Sequence, residues 1–182
     1  MTETQSDDLL VEAALNDPDA FAILYRRYLQ RVYSYLLSKV GNKQDAQNLT
    51  TQTFMAALDG IASYQPQGNF GAWLIGIARH KVADHFRKQR RIISIDDVPT
   101  LREMTMPLDE IVNQQLQLEA VIDLLNKINS DRAEAIQLRF FANLKMQEIA
   151  LIMQKSEDAV KMLVSRGLDD LRQMLNLMEK TS

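Results

Sequence analysis

Arg79, Arg87 and Arg90 share one arc of a helix that starts near Phe70, with His80 adjoining, when each residue turns the chain by about 100 degrees. Leu74, Ile77, Ala78 and Val82 share another. One face is thus core and the other cationic. Guanidinium groups so spaced can straddle successive phosphates of a nucleic-acid backbone, and Lys88 and Arg91 extend the charge. The neighbouring aromatics Tyr64, Phe70 and Trp73 can stack on bases or wedge between them. A place in the core is the alternative for these rings, because large aromatics are mostly buried.

A second constellation lies between Met146 and Ser165, where the spacing fits a helix-turn-helix. Ala150 is the small residue of the first helix and Val160, ten positions on, the apolar anchor of the second. An apolar arc of Val160, Leu163, Val164, Leu168, Leu171 and Leu175 leaves Glu157, Asp158, Lys161, Met162, Ser165, Arg166 and Asp169 to face DNA or solvent. Acids at the start of such a helix can accept from cytosine amino groups. A helical hairpin used only for packing has the same spacing.

The means for catalysis are thin. There are two histidines, no cysteine, no glycine-rich phosphate loop and no serine in a nucleophile elbow. Asp7-Asp8, Asp96-Asp97 and Asp169-Asp170 are adjacent pairs whose carboxylates diverge on a helix, and His80 with Asp84 makes a structural i, i+4 pair. We therefore expect no catalytic residues, no metal site and no cofactor. No apolar run approaches the roughly 20 residues of a membrane span, and the acidic start lacks the basic-then-apolar order of an export signal. Membrane insertion is excluded on this reading, and the cytoplasm is the expected location.

The elements that must position these groups follow from 182 residues, 46% hydrophobic and 25% charged, enough for one or two small cores. A net charge of -3 conceals a segregated distribution. Residues 1–20 carry six acids and no base; residues 79–91 carry six bases against Asp84 alone; residues 92–120 carry six acids and one base. A basic block on an otherwise acidic chain fits one polyanion-binding face, although a solvated helix face gives the same count. With six glycines and four prolines, mostly at helix ends, the fold class is all-α. An acidic N-terminal segment, 1–16, precedes a first domain over 17–91. Within it, Asp17-Pro18 opens a helix that Gly41 ends, a second helix runs from Lys43 to Leu58, and the long helix begins at Phe70. Residues 92–106, with Pro99 and lapsed periodicity, form a flexible linker. Residues 107–182 make a second small helical domain, with helices from Pro107 to Lys127, Ser130 to Phe141, Met146 to Met153 and Glu157 to Met178.

With these strings in place, the chain resembles a bacterial RNA polymerase sigma factor of the extracytoplasmic-function (ECF) type, in the sigma-70 family. Asp17 to Phe21 with Leu24 to Tyr28 resembles the start of sigma region 2, Asp45 to Phe54 its polymerase-binding helix, and Trp73-Leu74 through Arg79 to Arg87 its promoter-melting helix. Asn129 to Phe141, Met146 to Ala150 and Ala159 to Arg166 resemble region 4. The resemblance implies a transcription initiation factor that binds core RNA polymerase, at the β′ clamp coiled coil and the β flap, and directs it to promoter DNA. It places polymerase contacts on Asp45, Asn48, Leu49, Gln52, Thr53 and Phe54. It places the melted minus-ten element on Tyr64, Asn69, Phe70, Trp73, Arg79, His80, Arg87, Lys88, Arg90 and Arg91. The minus-thirty-five element falls to Glu157, Asp158, Lys161, Met162, Ser165 and Arg166. An anti-sigma factor is the implied regulator. The family usually has acids at the positions of Asn48 and Gln52, which implies a weaker core contact, asparagine at His80, which implies a different base choice at the minus-ten element, and bases at Leu163 and Leu168 with glycine at Gln154, which implies weaker phosphate contacts by region 4. Two other readings compete: a degenerate sigma-like decoy for an anti-sigma factor, and a plain helix-turn-helix repressor.

Overall fold

Asp17 opens the first long helix: its carboxylate accepts from the Asp19 N–H at 2.9 Å, and Pro18 takes the first helical position. The computed structural model describes residues 6–65, 69–93 and 118–180. In chain order the helices are α1 (Asp7–Ala14), α2 (Pro18–Val40), α3 (Lys43–Gly60) with a 3-10 turn at Ile61–Ser63, and α4 (Phe70–Ile93). Then come α5 (118–125), α6 (Ser130–Ile136) running into a π-helical turn at Gln137–Phe141, α7 (Met146–Met153) and α8 (Glu157–Glu179). Among the described residues there is no strand.

The helix ends follow local chemistry. Gly41 closes α2 with φ +75°, a conformation that costs a residue with a Cβ. Asn42 caps α3, its Oδ1 accepting from the Asp45 N–H at 2.8 Å. Gln154 ends α7 in the left-handed region, φ 54°, without the relief a glycine would bring. The helix expected from Ser130 to Phe141 has the right extent but a wider last turn, in which the Ala142 N–H reaches back to the Gln137 carbonyl at 3.1 Å.

Two expectations change. The segment 1–16 is more than an acidic leader: α1 buries Leu10, Val11 and Ala14, and the Asp7 carboxylate accepts from Arg27 and from the Tyr28 hydroxyl. An eight-residue helix carries too few apolar positions for its period to be read. On α8 the apolar arc is narrower than expected, for Val160, Val164 and Gly167 are buried while Leu168 and Leu175 are 36% and 50% exposed. Gly167 takes the close-approach position, so Leu168, one residue on, turns outward. α4 runs to Ile93, two residues into the expected linker; the rest of that linker and the helix start at Pro107 lie outside the described residues.

α2 is the axis of the first helical group, with α1, α3 and α4 packed around Leu24, Val32, Tyr35 and Leu36. The second group closes over Ala135, Leu138, Ile149, Val160 and Val164. The two groups share one continuous core. The π-helical turn packs against α2, and α7 packs against α4.

Candidate nucleic-acid interface

The site begins at the N-terminus of α4. Asn69 caps the helix, its Oδ1 accepting from the Ala72 N–H at 3.2 Å. One turn later the half-buried Trp73 leans on two rings, its centroid 5.2 Å from Tyr64 and 5.5 Å from Phe70. Phe70 in turn meets Tyr28 edge-on at 5.3 Å. Phe70 and Tyr64 are only 1% and 8% exposed. They are the platform under Trp73, and Tyr64 also lines the cavity beside it. Burial first, and then the carboxylates of Asp8 and Asp7, raise the Tyr64 phenol above its ordinary value.

Beyond Trp73 the two faces of α4 separate as the sequence predicts. Leu74, Ala78 and Val82 are buried, whereas Arg79, His80, Arg87, Lys88, Arg90 and Arg91 are exposed. Arg87 pairs with Asp84 one turn back. Arg79 instead reaches across to the second helical group. Its Nε lies 3.3 Å from Glu134 Oε1, and one of its terminal N–H groups donates to the Ile152 carbonyl at 3.3 Å. Trp73, Tyr64 and Ala72 form one wall of a cavity of about 540 Å³ whose other wall is Leu151 and Ile152 of α7.

On α3 the exposed residues include Asn48, Thr51, Gln52, Met55 and Leu58. Leu49, Thr53 and Phe54 are 2%, 0% and 4% exposed and seat the helix in the core, leaving Asn48 and Gln52 as the exposed members of the expected set. Asp45 is half-buried, 3.5 Å from His85 Nε2 and bonded by Asn42. Met55 and Leu58, at 62% and 48% exposure, were missed because apolar positions on an amphipathic helix read as core.

On α8, Asp158, Lys161, Met162, Ser165 and Arg166 are exposed and Glu157 is half-exposed. Val160 and Val164 hold the opposite face against α6 and α7. Lys161 is bracketed by Glu157 at 3.0 Å and Asp158 at 3.7 Å; the bond to Glu157 chiefly raises its pKa. Arg166 is thus the more available cation of this face.

Two family models match this arrangement, sigma-70 region 2 over residues 24–92 and sigma-70 region 4 over residues 118–171. The chain belongs to the sigma-70 family. It is 36% identical over 171 residues to the ECF RNA polymerase sigma factor BldN of Streptomyces coelicolor, covering 92% of this chain and 65% of that one, just under two thirds of its length. It is 29% identical to the ECF sigma factor SigX of Bacillus subtilis, over 89% of this chain and 87% of that protein. Among solved structures, CnrH in complex with the cytosolic domain of CnrY has a TM-score of 0.75 at 23% identity, covering 95% of this chain and 99% of that chain. The sigma factor RpoE of Bartonella quintana, bound to the anti-sigma factor NepR, has a TM-score of 0.70 at 23% identity, covering 86% and 96%. These two show the fold.

Sigma factors are transcription initiation factors and not enzymes, and core RNA polymerase and promoter DNA are the partners that family membership implies. In this sigma chain α2 to α4 belong to region 2, and α6 to α8 to region 4. Among the described residues no helix is long and apolar enough to cross a membrane. Among the groups of region 4 that touch region 2, Glu134, Gln137, Glu148 and the Ile152 carbonyl were invisible in the sequence. Glu134 lies 95 and 99 residues from its partners Lys39 and Tyr35, and no local spacing encodes such a pairing.

Proposed function

We propose that this chain directs core RNA polymerase to specific promoters, with region 2 docking on the polymerase and holding the melted minus-ten element while region 4 reads the minus-thirty-five element. The observation that carries this reading is on α4, where Trp73 rests on the buried rings of Tyr64 and Phe70 just after the capping Asn69, and the exposed Arg79 and His80 follow along the same helix. A single strand is captured by cations along its backbone and a ring for its unstacked bases, and α4 offers both. The exposed α3 surface of Asn48, Gln52, Met55 and Leu58 is the docking surface: amides supply hydrogen bonds where the family usually has acids, and two apolar side chains supply area. The α8 surface from Glu157 to Arg166 enters the major groove, with phosphate contacts limited by the pairing of Lys161. A cytoplasmic location goes with this activity. An anti-sigma factor is the expected regulator, since both fold relatives were solved with a protein partner and one of these is named an anti-sigma factor.

The test is reconstitution with bacterial core RNA polymerase. Wild type and Arg79→Ala/Arg87→Ala co-elute with core on size exclusion, and the double variant loses more than about tenfold of promoter-specific transcription, as expected when two phosphate contacts go. Met55→Asp/Leu58→Asp fails to co-elute. Full transcription by the arginine variant overturns the assignment of α4. Failure of wild type to bind core while binding an anti-sigma factor tightly favours the decoy reading.

A further inference from the structure

Asp7, at the start of α1, gives both of its carboxylate oxygens to α2: one accepts from Arg27, the other from the Tyr28 hydroxyl. Tyr28 is buried, with Arg31 over its face at 5.4 Å from the ring centroid and Phe70 edge-on. The same ring presses on the backbone of the first turn of α4. A Cβ at Gly71 would stand 2.8 Å from Tyr28 Cε1 and 3.0 Å from Asn69 Oδ1, the oxygen that caps the helix, so a glycine is what lets the phenol lie this close. Phe70 and Trp73 belong to that turn, and Tyr64 touches both, its centroid 5.6 Å from Phe70 and 5.2 Å from Trp73. An unbroken run of contacts therefore leads from a carboxylate on α1 to the half-buried indole, through Tyr28 and Phe70. Leu10, Val11 and Ala14 seat α1 by apolar burial; the carboxylate adds a directional bond to the ring on which α4 rests.

We propose that Asp7 is a positioning residue for strand capture: through the Tyr28 hydroxyl it fixes the first turn of α4, and so the angle at which the Trp73 ring is offered to an unstacked base. This rests on the proposed role of α4 in holding the melted strand. Stacking needs a ring face presented in one attitude, and a base can meet Trp73 only on the side that Tyr64 and Phe70 leave open. A phenol tied at its far end to a charged acceptor has less room to tilt than one held by packing alone. When the Tyr28 ring tilts, Phe70 follows and Trp73 with it, because closely packed rings leave no slack to absorb the motion.

The experiment reads tryptophan emission of the free chain, co-elution with core RNA polymerase, and the rate of open-complex formation on a promoter selected in vitro with the wild-type holoenzyme. Trp73 is the only tryptophan, so emission of the free chain reports that ring alone. Asp7→Ala shifts the emission at unchanged helicity by circular dichroism, keeps co-elution, and slows open-complex formation about fivefold, part of the more than about tenfold lost in Trp73→Ala. Tyr28→Phe, which removes only the hydroxyl, does the same, and the double variant Asp7→Ala/Tyr28→Phe is no worse than either alone. Asp19→Ala, which removes an equal charge from the exposed first turn of α2, leaves all three readings at wild type. If Asp7→Ala loses helicity, Tyr28→Phe carries the comparison. Wild-type emission and rate in both single variants, or losses that add in the double variant, overturn the positioning role while Trp73→Ala still reports strand capture. Lost co-elution in Asp7→Ala assigns the residue to polymerase docking instead and overturns it as well. A wild-type rate in Trp73→Ala overturns strand capture by α4 itself, and the role of Asp7 with it.

Discussion

Two phenols are tied to carboxylates in the folded chain. Burial, and then Glu134, push the Tyr35 hydroxyl well above its ordinary 10.0, while burial and the bond to Asp7 push Tyr28 up as well. The folded protein keeps these protons where the unfolded chain releases them. Their contribution to stability is fully present below pH 10.0 and falls as pH rises toward the folded values. Denaturation midpoints followed from about pH 8 upward should hold steady and then drop above about pH 10, and Tyr35→Phe should flatten that drop while lowering the plateau by about 1 kcal/mol for the lost hydrogen bond. An absorbance titration checks the same point: of the five tyrosines, Tyr28 and Tyr35 should ionise last. The cause was hidden in the sequence, because a tyrosine on the apolar arc of α2 looks like any other core ring until Glu134 is brought to it.

At the scale of elements, the α6–α8 crossing depends on one missing side chain. A Cβ at Gly167 would stand 2.7 Å from Ile136 Cδ1, 3.2 Å from Arg132 Cβ and 3.4 Å from the Arg132 carbonyl oxygen. Gly167→Ala should cost about 1–3 kcal/mol by overpacking, read as a lower urea midpoint, despite alanine's better helix propensity. It should also disturb the Arg132–Asp170 pair, now at 2.6 Å, and with it the angle at which α8 is presented. Helix bounds were the most legible part of the chain. Asp17-Pro18, Gly41 and the stretches Met146–Met153 and Glu157 onward carry their signals within a few residues, and the structure places α2, α7 and the start of α8 where those signals do. Which side of a helix is buried was less legible. Leu49 and Phe54 lie inward and Met55 and Leu58 outward, a division set by where α2 and α4 lie and not by the residue types of α3.

For the whole molecule, the expected two helical groups are present, but they share a core and a polar seam instead of standing apart. A chain so joined should melt in a single calorimetric transition. Glu134→Ala, which strands Lys39 without its buried partner, should lower the melting temperature and resolve region 2 from region 4 as two transitions. Two transitions in wild type would mean that the seam carries little energy. No property of either half taken alone announces this joint, since its residues are ordinary helix surface in each half and become complementary only when assembled.

The seam's composition has one more consequence, seen at Gln137. Its side-chain amide donates to the Ser38 carbonyl at 2.8 Å and its oxygen accepts from Lys39 at 3.1 Å. The Ser38 carbonyl is one of those that the end of α2 leaves without a helical partner. When the halves separate, water can take over each of these bonds, so parting exchanges partners one for one instead of stripping them away. A joint made this way can be wetted and re-formed many times, with the last turn of α2 loosening and tightening in step; amide hydrogen exchange around Gly41 would keep count.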